Sequence, residues 1–307
     1  MNQVAKRRWR RVDGVLLLDK PSGISSNDAL QKARRLFSAE KAGHTGTLDP
    51  MATGLLPLCF GEATKFSADL LNADKTYEAT LRLGISTDTG DAEGRVTAES
   101  PLRIDENTFR QILPGFSGPQ HQIPPMYSAL KRDGKPLYEL ARQGIEVVRE
   151  ARDIVIHQLE LLHFDHEASA AVLRVRCSKG TYIRTLAEDI GKTLGCGAHL
   201  TALRRIEVGD LLLPRALTLE EIEACPEAER DTQLLPVDAL LQGLPTITLA
   251  AEAVLRFSHG NQVMTDSGCI PAGTLARVYA GGCLLGIGLV DDLGQIHPKR
   301  LVAQALP

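Results

Sequence analysis

The sequence predicts an α+β protein whose main domain is built on a mixed, largely antiparallel sheet and is followed by a small β-rich domain. Strand-like runs outnumber helical segments, and most are joined by turns, which favours antiparallel pairing. The chain has 307 residues, enough for about two domains at roughly 150 residues each. Beyond Gly243–Pro245 charges become few and glycines many. We therefore expect a main domain over residues 1–245 and a second domain over residues 246–307.

Apolar runs and helical periodicity alternate through the first part of the chain. Val12–Asp19 is a short apolar run before a Pro-Ser-Gly turn and is expected to form a buried strand. Ser25 or Ser26 can cap the helix that follows, because apolar residues then recur at helical spacing. Leu55–Phe60 predicts another strand, and a helix is expected at about Ala63–Leu71.

The rest of the chain continues this alternation. Apolar residues from Tyr77 to Leu83 alternate with polar ones, which is typical of a half-buried strand. The remaining expected elements of the main domain are a loop at Asp88–Gly94, a strand at Arg95–Ala98, an exposed basic insertion at about 119–150 with a helix at Leu137–Gln143, an interrupted strand at Ile145–Leu162, a strand at Ala170–Ser178, a helix at Thr181–Thr193 and a strand at Leu200–Glu207. Those of the second domain are strands at Thr246–Leu249, Leu275–Tyr279 and Leu284–Val290 and a helix at Ala250–His259.

The composition argues against several classes of protein. With 43% hydrophobic and 24% charged residues the chain resembles an ordinary globular protein rather than a disordered one. Its uncharged apolar runs are far shorter than the roughly 18 residues that a membrane helix needs, and Met1–Arg11 is not followed by the apolar core of a signal peptide. Because the six cysteines include no Cys-x-x-Cys pair, we expect buried, reduced thiols and a cytoplasmic location.

Charge is distributed unevenly, although the net charge is only −3. Residues 1–35 carry nine basic and three acidic side chains, whereas residues 216–240 carry seven acidic side chains and one basic. This asymmetry predicts a basic face and a distal acidic face, as a nucleic-acid-binding protein would have. Ordinary solvated surface charge accounts for these numbers slightly better when they are taken alone.

The glycine-rich segment Gly43–Gly54 is the first candidate for a functional site. A phosphate-binding loop is disfavoured because the Gly-Lys-Ser/Thr ending is missing. A metal site is disfavoured because His44 and Asp49 have no local partners at ligand spacing. A purely structural turn remains open. Because glycines let the backbone approach a ligand and Pro50 restricts the chain after Asp49, the segment also fits a stiff loop that presents an imidazole and a carboxylate.

A second candidate is Cys177–Leu186, where a strand ends, a glycine turns the chain and a helix begins. Tyr182 and Arg184 lie near the start of that helix. The positive end of the helix dipole and a guanidinium could together hold a carboxylate. The alternative is that Tyr182 fills the core and Arg184 is a surface charge.

The segment Gly43–Leu56 closely resembles the catalytic motif of the TruB family of bacterial tRNA pseudouridine-55 synthases. The resemblance continues in order over essentially the whole chain, through Val15–Gly23, Lys75–Tyr77, Lys179–Leu186 and Leu203–Arg205. It implies an isomerase that converts uridine 55 in the T loop of tRNA to pseudouridine by base flipping, cleavage of the N-glycosidic bond and joining of C5 to C1′.

The resemblance also implies roles for individual side chains. The catalytic residues would be the nucleophile Asp49, Tyr77 and Arg184, with Arg184 paired to Asp49. The substrate-binding residues would be Tyr77, which stacks on the base, Tyr182, which lines the uridine pocket, Leu203, which closes it, and His44, which takes the space that the flipped nucleotide leaves in the T loop.

The family's architecture is a pseudouridine synthase domain with an inserted RNA-gripping region, here about 119–150, and a C-terminal domain similar to the PUA RNA-binding module, here about 246–307. The resemblance implies no cofactor and no metal. Its partner would be the T stem-loop of tRNA, with no membrane and no obligatory protein partner.

Two questions stay open at the level of sequence. The carboxylate of Asp49 could attack C1′, or a proton could be removed at C2′ to give a glycal, with Tyr77 or Asp49 as the base. The alternative function is an RNA-binding or tRNA-folding module in which catalysis is secondary. A nucleoside hydrolase with His44 and Asp49 as acid and base is a third hypothesis.

Overall fold

The computed structural model describes residues 8–101, 103–265 and 270–303, except the side chain of Asp69. Lys6 and Arg7 of the predicted basic face, and Cys269, lie outside these residues. The described strands are β1 (Gly14–Lys20), β2 (Ala42–His44), β3 (Thr53–Phe60), β4 (Lys75–Leu83), β5 (Ile85–Thr87), β6 (Val96–Glu99), β7 (Gly118–Gln122), β8 (Lys131–Arg132), β9 (Lys135–Pro136), β10 (Arg152–Asp165), β11 (Ala170–Cys177), β12 (Ala198–Val208), β13 (Leu211–Leu212), β14 (Thr246–Thr248), β15 (Val263–Met264), β16 (Leu275–Ala280), β17 (Cys283–Val290) and β18 (Gln295–Leu301).

The described helices are mostly short. The α-helices are α1 (Ser26–Leu36), α2 (Ser67–Leu71), α3 (Glu106–Ile112), α4 (Leu137–Arg142), α5 (Ile183–Thr193), α6 (Leu219–Ala224) and α7 (Ala251–Ser258). Short 3-10 helices cover Gly61–Phe66, Leu113–Phe116, Leu213–Arg215, Glu227–Gln233 and Val237–Leu241. Ser25 caps α1 by accepting the backbone N–H of Asp28, as the sequence predicts.

Nine of the described strands form one sheet, in the order β1-β3-β12-β4-β11-β10-β7, with β2 paired to β3 and β13 to β12. Neighbours are antiparallel except β3 and β12, which run parallel where Thr53 and Gly54 pair with Arg204 and Arg205. The predicted α+β class with a largely antiparallel sheet is confirmed. The parallel pair brings the loop before β3 to the middle of the sheet.

The apolar run of β1 is buried on both faces. Leu16 and Leu18 belong to the core beneath α1, whereas Val15 and Leu17 belong to a core on the opposite face that also contains Ile287 of β17. Successive strand residues point to opposite faces, so a continuous apolar run is what a doubly covered strand needs. The C-terminal part of the chain therefore packs directly on the main sheet.

The second domain is β-rich, as predicted. Its described strands form a sheet in the order β14-β16-β17-β18-β15, and α7 contributes a fully buried Phe257 to its core. Strands β15 and β18 are not predicted, because one has two residues and the other is interrupted by Pro298 and the charged Lys299 and Arg300.

Three expected elements differ in the structure. Residues 118–122, expected to open an exposed loop, form β7 at the edge of the main sheet, because pairing with β10 uses backbone groups and needs no apolar alternation. Strand β10 begins at Arg152, so the strand expected from Ile145 is wrong over residues 145–151. The helix expected at Ala63–Leu71 is a 3-10 helix before it becomes α2.

The predicted separation of a basic and an acidic face is wrong for the residues that the structure describes. Arg10 of the basic segment pairs with both carboxylate oxygens of Asp231 in the acidic segment, at 2.6 Å each. Arg230 of the same acidic segment donates to the carbonyl of Leu36, at the end of α1, at 2.8 Å. The attraction between Arg10 and Asp231 and the hydrogen bond of Arg230 hold the two segments together.

The expectation of buried thiols holds for part of the set. Cys59, Cys177 and Cys196 are buried, whereas Cys225 is partly exposed and Cys283 is exposed. Cys283 lies at the start of β17, directly after a two-glycine turn, where no other element covers it.

Candidate active site

Asp49 lies in the loop between β2 and β3, and a buried serine holds that loop on one side. Residues 45–52 contain neither helix nor strand, as expected, whereas both ends of the glycine-rich segment belong to the flanking strands. The Ser26 hydroxyl donates to the carbonyl of Leu48 at 2.9 Å and accepts the Leu48 N–H at 2.8 Å. Because both residues are buried, losing either bond would leave a desolvated polar group, so the backbone before Asp49 is fixed.

Lys20 holds the other side of the loop. Its side chain is fully buried at the end of β1, and its ammonium donates to the carbonyls of Ile24 at 2.7 Å, Pro21 at 2.8 Å and Pro50 at 3.3 Å. Burial lowers the pKa of Lys20 to about 8, and the nearby charge of Asp49 opposes that shift. Asp49 is therefore placed between two anchored neighbours.

A cavity of about 270 Å³ opens beside Asp49. The loop that carries Asp49, the start of β4, the N-terminus of α5 and the middle of β12 meet there. Five of the six predicted site residues line it: Asp49, Tyr77, Tyr182, Arg184 and Leu203. Among the described lining residues Asp49 is the only carboxylate.

His44 is the sixth predicted residue, and it does not line this cavity. It lies half-buried at the end of β2, opposite Leu58 of β3. Its Nδ1 is buried without a hydrogen-bond partner among the described residues. Burial, reinforced by the charge of Arg205, lowers the pKa of His44. Its contact with the T loop therefore stays a prediction.

The buried guanidinium of Arg184 joins two carboxylates. Its Nε lies 3.0 Å from Oδ2 of Asp49, and its Nη1 lies 3.4 Å from Oδ2 of Asp91. The same group donates to the carbonyls of Thr89 at 3.0 Å and Tyr127 at 2.6 Å. These partners fix the planar fork of the arginine in one orientation. The alternative that Arg184 is a surface charge is excluded.

Asp49 lies at the wall of the cavity, with 36% of its side chain exposed. Burial raises its pKa, the positive charge of Arg184 opposes that rise, and the negative charge of Asp91 adds to it. Arg184 therefore offsets only part of the effect of burial on Asp49. A carboxylate with a raised pKa is a better base than one with an ordinary pKa.

Tyr77 and Arg205 are paired across β4 and β12 and are both buried. Arg205 donates from Nε to the carbonyl of Leu55 at 2.7 Å and from Nη2 to the carbonyl of Gly46 at 3.3 Å. Burial raises the pKa of the Tyr77 hydroxyl, and the charge of Arg205 opposes that rise. Arg205 thus ties the tyrosine to the loop that carries Asp49.

Sequence reasoning missed Lys20, Arg205 and Asp91 as individual site residues. A usable signal existed for both: Arg205 is a charge inside a predicted strand, and Lys20 directly follows the last residue of another, and a charge that is buried there needs partners. No comparable signal exists for Asp91, because its partner Arg184 is far away in the chain.

A larger cavity of about 520 Å³ lies between β7, β10 and α5. Its lining includes Asp189 and Lys192 but none of the six predicted residues. Neither cavity has a metal-like cluster, since the described residues contain no group of three or more His, Cys, Asp or Glu side chains suited to a cation. We assign the chemistry to the smaller cavity because it alone brings a carboxylate, a guanidinium and two tyrosines together.

The chain matches known families over most of its length. Residues 34–183 match the N-terminal domain of TruB family pseudouridylate synthases, residues 184–242 the C-terminal domain of tRNA pseudouridylate synthase B, and residues 245–302 the C-terminal domain of pseudouridine synthase II TruB. The chain is 62% identical over 300 residues to the tRNA pseudouridine synthase B of Dechloromonas aromatica, a match that covers 98% of this chain and 99% of that protein. The chain belongs to the TruB family. A second TruB relative, the tRNA pseudouridine synthase B of Cupriavidus metallidurans, is 57% identical, with 95% of each chain covered.

Solved structures also share the TruB fold. A chain of the archaeal box H/ACA sRNP Nop10-Cbf5 complex aligns with a TM-score of 0.70 at 24% identity, over 94% of this chain and 85% of that chain. A Cbf5-Nop10-Gar1 complex gives a TM-score of 0.69 at 25% identity, over 93% and 84%. Within the described residues, none of the helices combines the length and the apolar character needed to span a membrane.

Proposed function

We propose that Asp49 starts the isomerisation of uridine 55 in the T loop of tRNA to pseudouridine. Pseudouridine formation in tRNA is the activity of the family, and relatives that match nearly the full chain are named for it. One observation carries the role of Asp49. It is the only carboxylate among the described residues that line the cavity, and it lies 3.0 Å from a buried arginine.

The reaction moves bonds without oxidation or hydrolysis. The N1–C1′ bond of uridine breaks, the base turns, C5 bonds to C1′, and the proton of C5 is lost while N1 gains one. Asp49 can serve either as the nucleophile at C1′ or as the base at C2′. The raised pKa of the Tyr77 hydroxyl keeps this side chain a neutral phenol, which is a very weak base. Of the two residues, Asp49 is therefore the stronger base.

The pocket supports this chemistry by excluding water. Tyr77 stacks on the flipped base, Tyr182 lines the pocket beside it and Leu203 closes the pocket, so that together they keep water from the cleaved sugar. Flipping a uridine out of a stacked loop costs a few kcal/mol. Contacts between basic side chains and phosphates offset that cost.

We assign those contacts to two regions. The first is the predicted RNA-gripping insertion at about 119–150. Its first residues belong to β7, so we call the part that follows, residues 123–151, the basic segment; it includes the exposed Lys131, Arg132 and Lys135 around the β8–β9 hairpin. The second is the C-terminal domain, from about residue 246, in the manner of a PUA module. A tRNA substrate implies a cytoplasmic protein, and we expect the isolated chain to act without a protein partner.

Asp49→Asn tests the proposal. With tRNA labelled with tritium at C5 of uridine, we expect the variant to release no tritium while it binds tRNA nearly as well as the unaltered chain. The substitution removes the charge but keeps the shape. Asp210→Asn, at an exposed turn after β12, is the matched control and should leave release unchanged. Substantial release by Asp49→Asn would remove Asp49 from its role, and free uracil among the products would instead indicate a hydrolase.

The same variant examines the alternative function. If this chain acts mainly as an RNA-binding or tRNA-folding module, Asp49→Asn would keep that activity in full. The observation that favours this second candidate is that no described residue of the C-terminal sheet lines the cavity, so this domain has a surface of its own to offer to RNA.

A further inference from the structure

We propose that Gln122 is a positioning residue for the pocket, which acts by fixing the backbone of Tyr182 through two hydrogen bonds. The inference deepens the function proposed above and rests on it, because Tyr182 is one wall of the proposed uridine pocket. Gln122 itself does not line that cavity.

The two bonds use both ends of one amide. Gln122 is buried at the last position of β7, where its Oε1 accepts the Tyr182 N–H at 2.7 Å and its Nε2 donates to the Tyr182 carbonyl at 3.0 Å. The two bonds also fix which end of the amide is oxygen, since only one orientation satisfies both. Both bonds are partly buried, beside the larger cavity that Gln122 lines, so losing them frees the Tyr182 backbone from the end of β7.

Tyr182 needs such a partner because of its place in the chain. It is the residue before α5, and no side chain of its own segment caps that helix. The first N–H groups of a helix have no partner within it. Strand β11 ends at Cys177, and the intervening Gly180 has a φ of +81° with no atom within 4 Å of where a Cβ would stand. The chain just before Tyr182 therefore has no packing partner at Gly180 that could hold it in place.

The chain that follows β7 is joined to the start of α5 a second time. Ile123, directly after Gln122, is 53% exposed and begins the basic segment 123–151. Two residues after Tyr182, Arg184 donates to the carbonyl of Tyr127 in that segment at 2.6 Å. Both ends of the stretch from Gln122 to Tyr127 are thus attached to the start of α5. Binding of RNA to the basic segment would act on the pocket wall through these attachments.

The first test replaces Gln122 by methionine. Methionine has a similar length, but it cannot make the two hydrogen bonds to the N–H and the carbonyl of Tyr182. Under single-turnover conditions with saturating tRNA, we expect the rate of pseudouridine formation to fall about ten- to a hundredfold, since small displacements of positioning groups have effects of this size. The dissociation constant for tRNA should stay within about threefold of the unaltered value.

Gln120→Met is the matched control. Gln120 is on the same face of β7, two residues earlier, and its amide donates weakly to the carbonyls of Gly115 at 3.3 Å and Ser117 at 3.4 Å. We expect this variant to turn over at the unaltered rate. Thermal unfolding of both variants shows whether either loses stability.

The second test replaces Gln122 by glutamate and gives a signature that loss of stability would not. A protonated glutamic acid can accept from the Tyr182 N–H and donate to the Tyr182 carbonyl, whereas an ionised glutamate is only an acceptor and repels that carbonyl. The rate of Gln122→Glu, divided by the rate of the unaltered chain at the same pH, should therefore rise severalfold as the pH falls from about 8 to about 5.5. The same ratio for Gln122→Met should stay flat.

The outcomes separate the two proposals. A Gln122→Glu ratio that does not change with pH, or a Gln122→Met variant that keeps its rate or loses as much affinity as rate, would contradict the positioning role alone. Absence of pseudouridine formation by the unaltered chain would contradict the proposed function, and the inference with it.

Discussion

Arg184 connects three parts of the chain at one guanidinium. It contacts the loop of Asp49, the loop that contains Thr89 and Asp91, and the backbone of Tyr127 in the basic segment. Without it, the Asp49 and Asp91 carboxylates would face each other with much less compensating charge, and the loss of a buried partner is costly. We therefore argue at the scale of the residue that Arg184 supports a carboxylate rather than a phosphate.

Arg184→Met should reduce catalysis far more than binding. We expect kcat for pseudouridine formation to fall about a hundredfold or more, as for other groups that stabilise charge in a closed site, while the dissociation constant for tRNA changes little. Rapid-quench kinetics and filter binding measure the two quantities. A loss of binding as large as the loss of rate would show that Arg184 contacts the RNA instead.

The pH dependence of the same variant provides a second measurement. In the role proposed for it Asp49 acts as an anion, so activity is expected above its pKa and is lost as the pH falls through it. Burial raises that pKa and Arg184 opposes the rise. Removing Arg184 should therefore move the acidic limb of the rate profile to higher pH. An unmoved limb would mean that another group titrates there.

At the scale of the element, the parallel contact between β3 and β12 holds Arg205, which lines the cavity, in place. Gly54 has a φ of +99°, and a Cβ at this position would lie 2.3 Å from the carbonyl oxygen of Arg205. The two strands can therefore approach closely only because this residue is glycine. The approach puts the Arg205 side chain against Gly46, in the loop that carries Asp49.

Gly54→Ala should destabilise the protein by about 3 kcal/mol or more, because it combines an unfavourable φ with a clash against fixed backbone. Gly23→Ala is the control: its φ of +83° is similarly unfavourable, but no atom lies within 4 Å of the added Cβ. We expect that variant to lose about 1–2 kcal/mol of the free energy of unfolding. Urea unfolding monitored by circular dichroism gives both values, and equal losses would show that the contact with Arg205 is not limiting.

At the scale of the whole molecule, the C-terminal sheet is attached to the main sheet by an apolar contact. Ile287 lies in the core that contains Val15 and Leu17, and Lys65 donates to the carbonyl of Leu301 at 2.9 Å. Removing the residues after about 245 would expose this face. We therefore expect such a truncation to cost stability as well as tRNA affinity.

Ile287→Ala measures that attachment without removing the domain. The side chain is 2% exposed, and emptying such a position costs about 2–4 kcal/mol of the free energy of unfolding. Leu293→Ala, at a 73% exposed position of the same domain, should change it by less than about 0.5 kcal/mol. If both variants unfold at the same denaturant concentration, the contact contributes nothing.

The sequence by itself determined the local elements and singled out the side chains that we propose for the chemistry. Apolar alternation located β4, capping located α1, and the motif from Gly43 to Leu56 singled out Asp49. These features are readable because each depends on residues close together in the chain.

The tertiary structure decided which distant groups meet. It paired Arg184 with Asp91, buried Arg205 under the active-site loop, placed β7 at the sheet edge and left His44 outside the cavity. These arrangements depend on backbone pairing between strands and on buried charges that need partners from other segments. No local pattern encodes such partners, because only the folded chain brings them within hydrogen-bond distance.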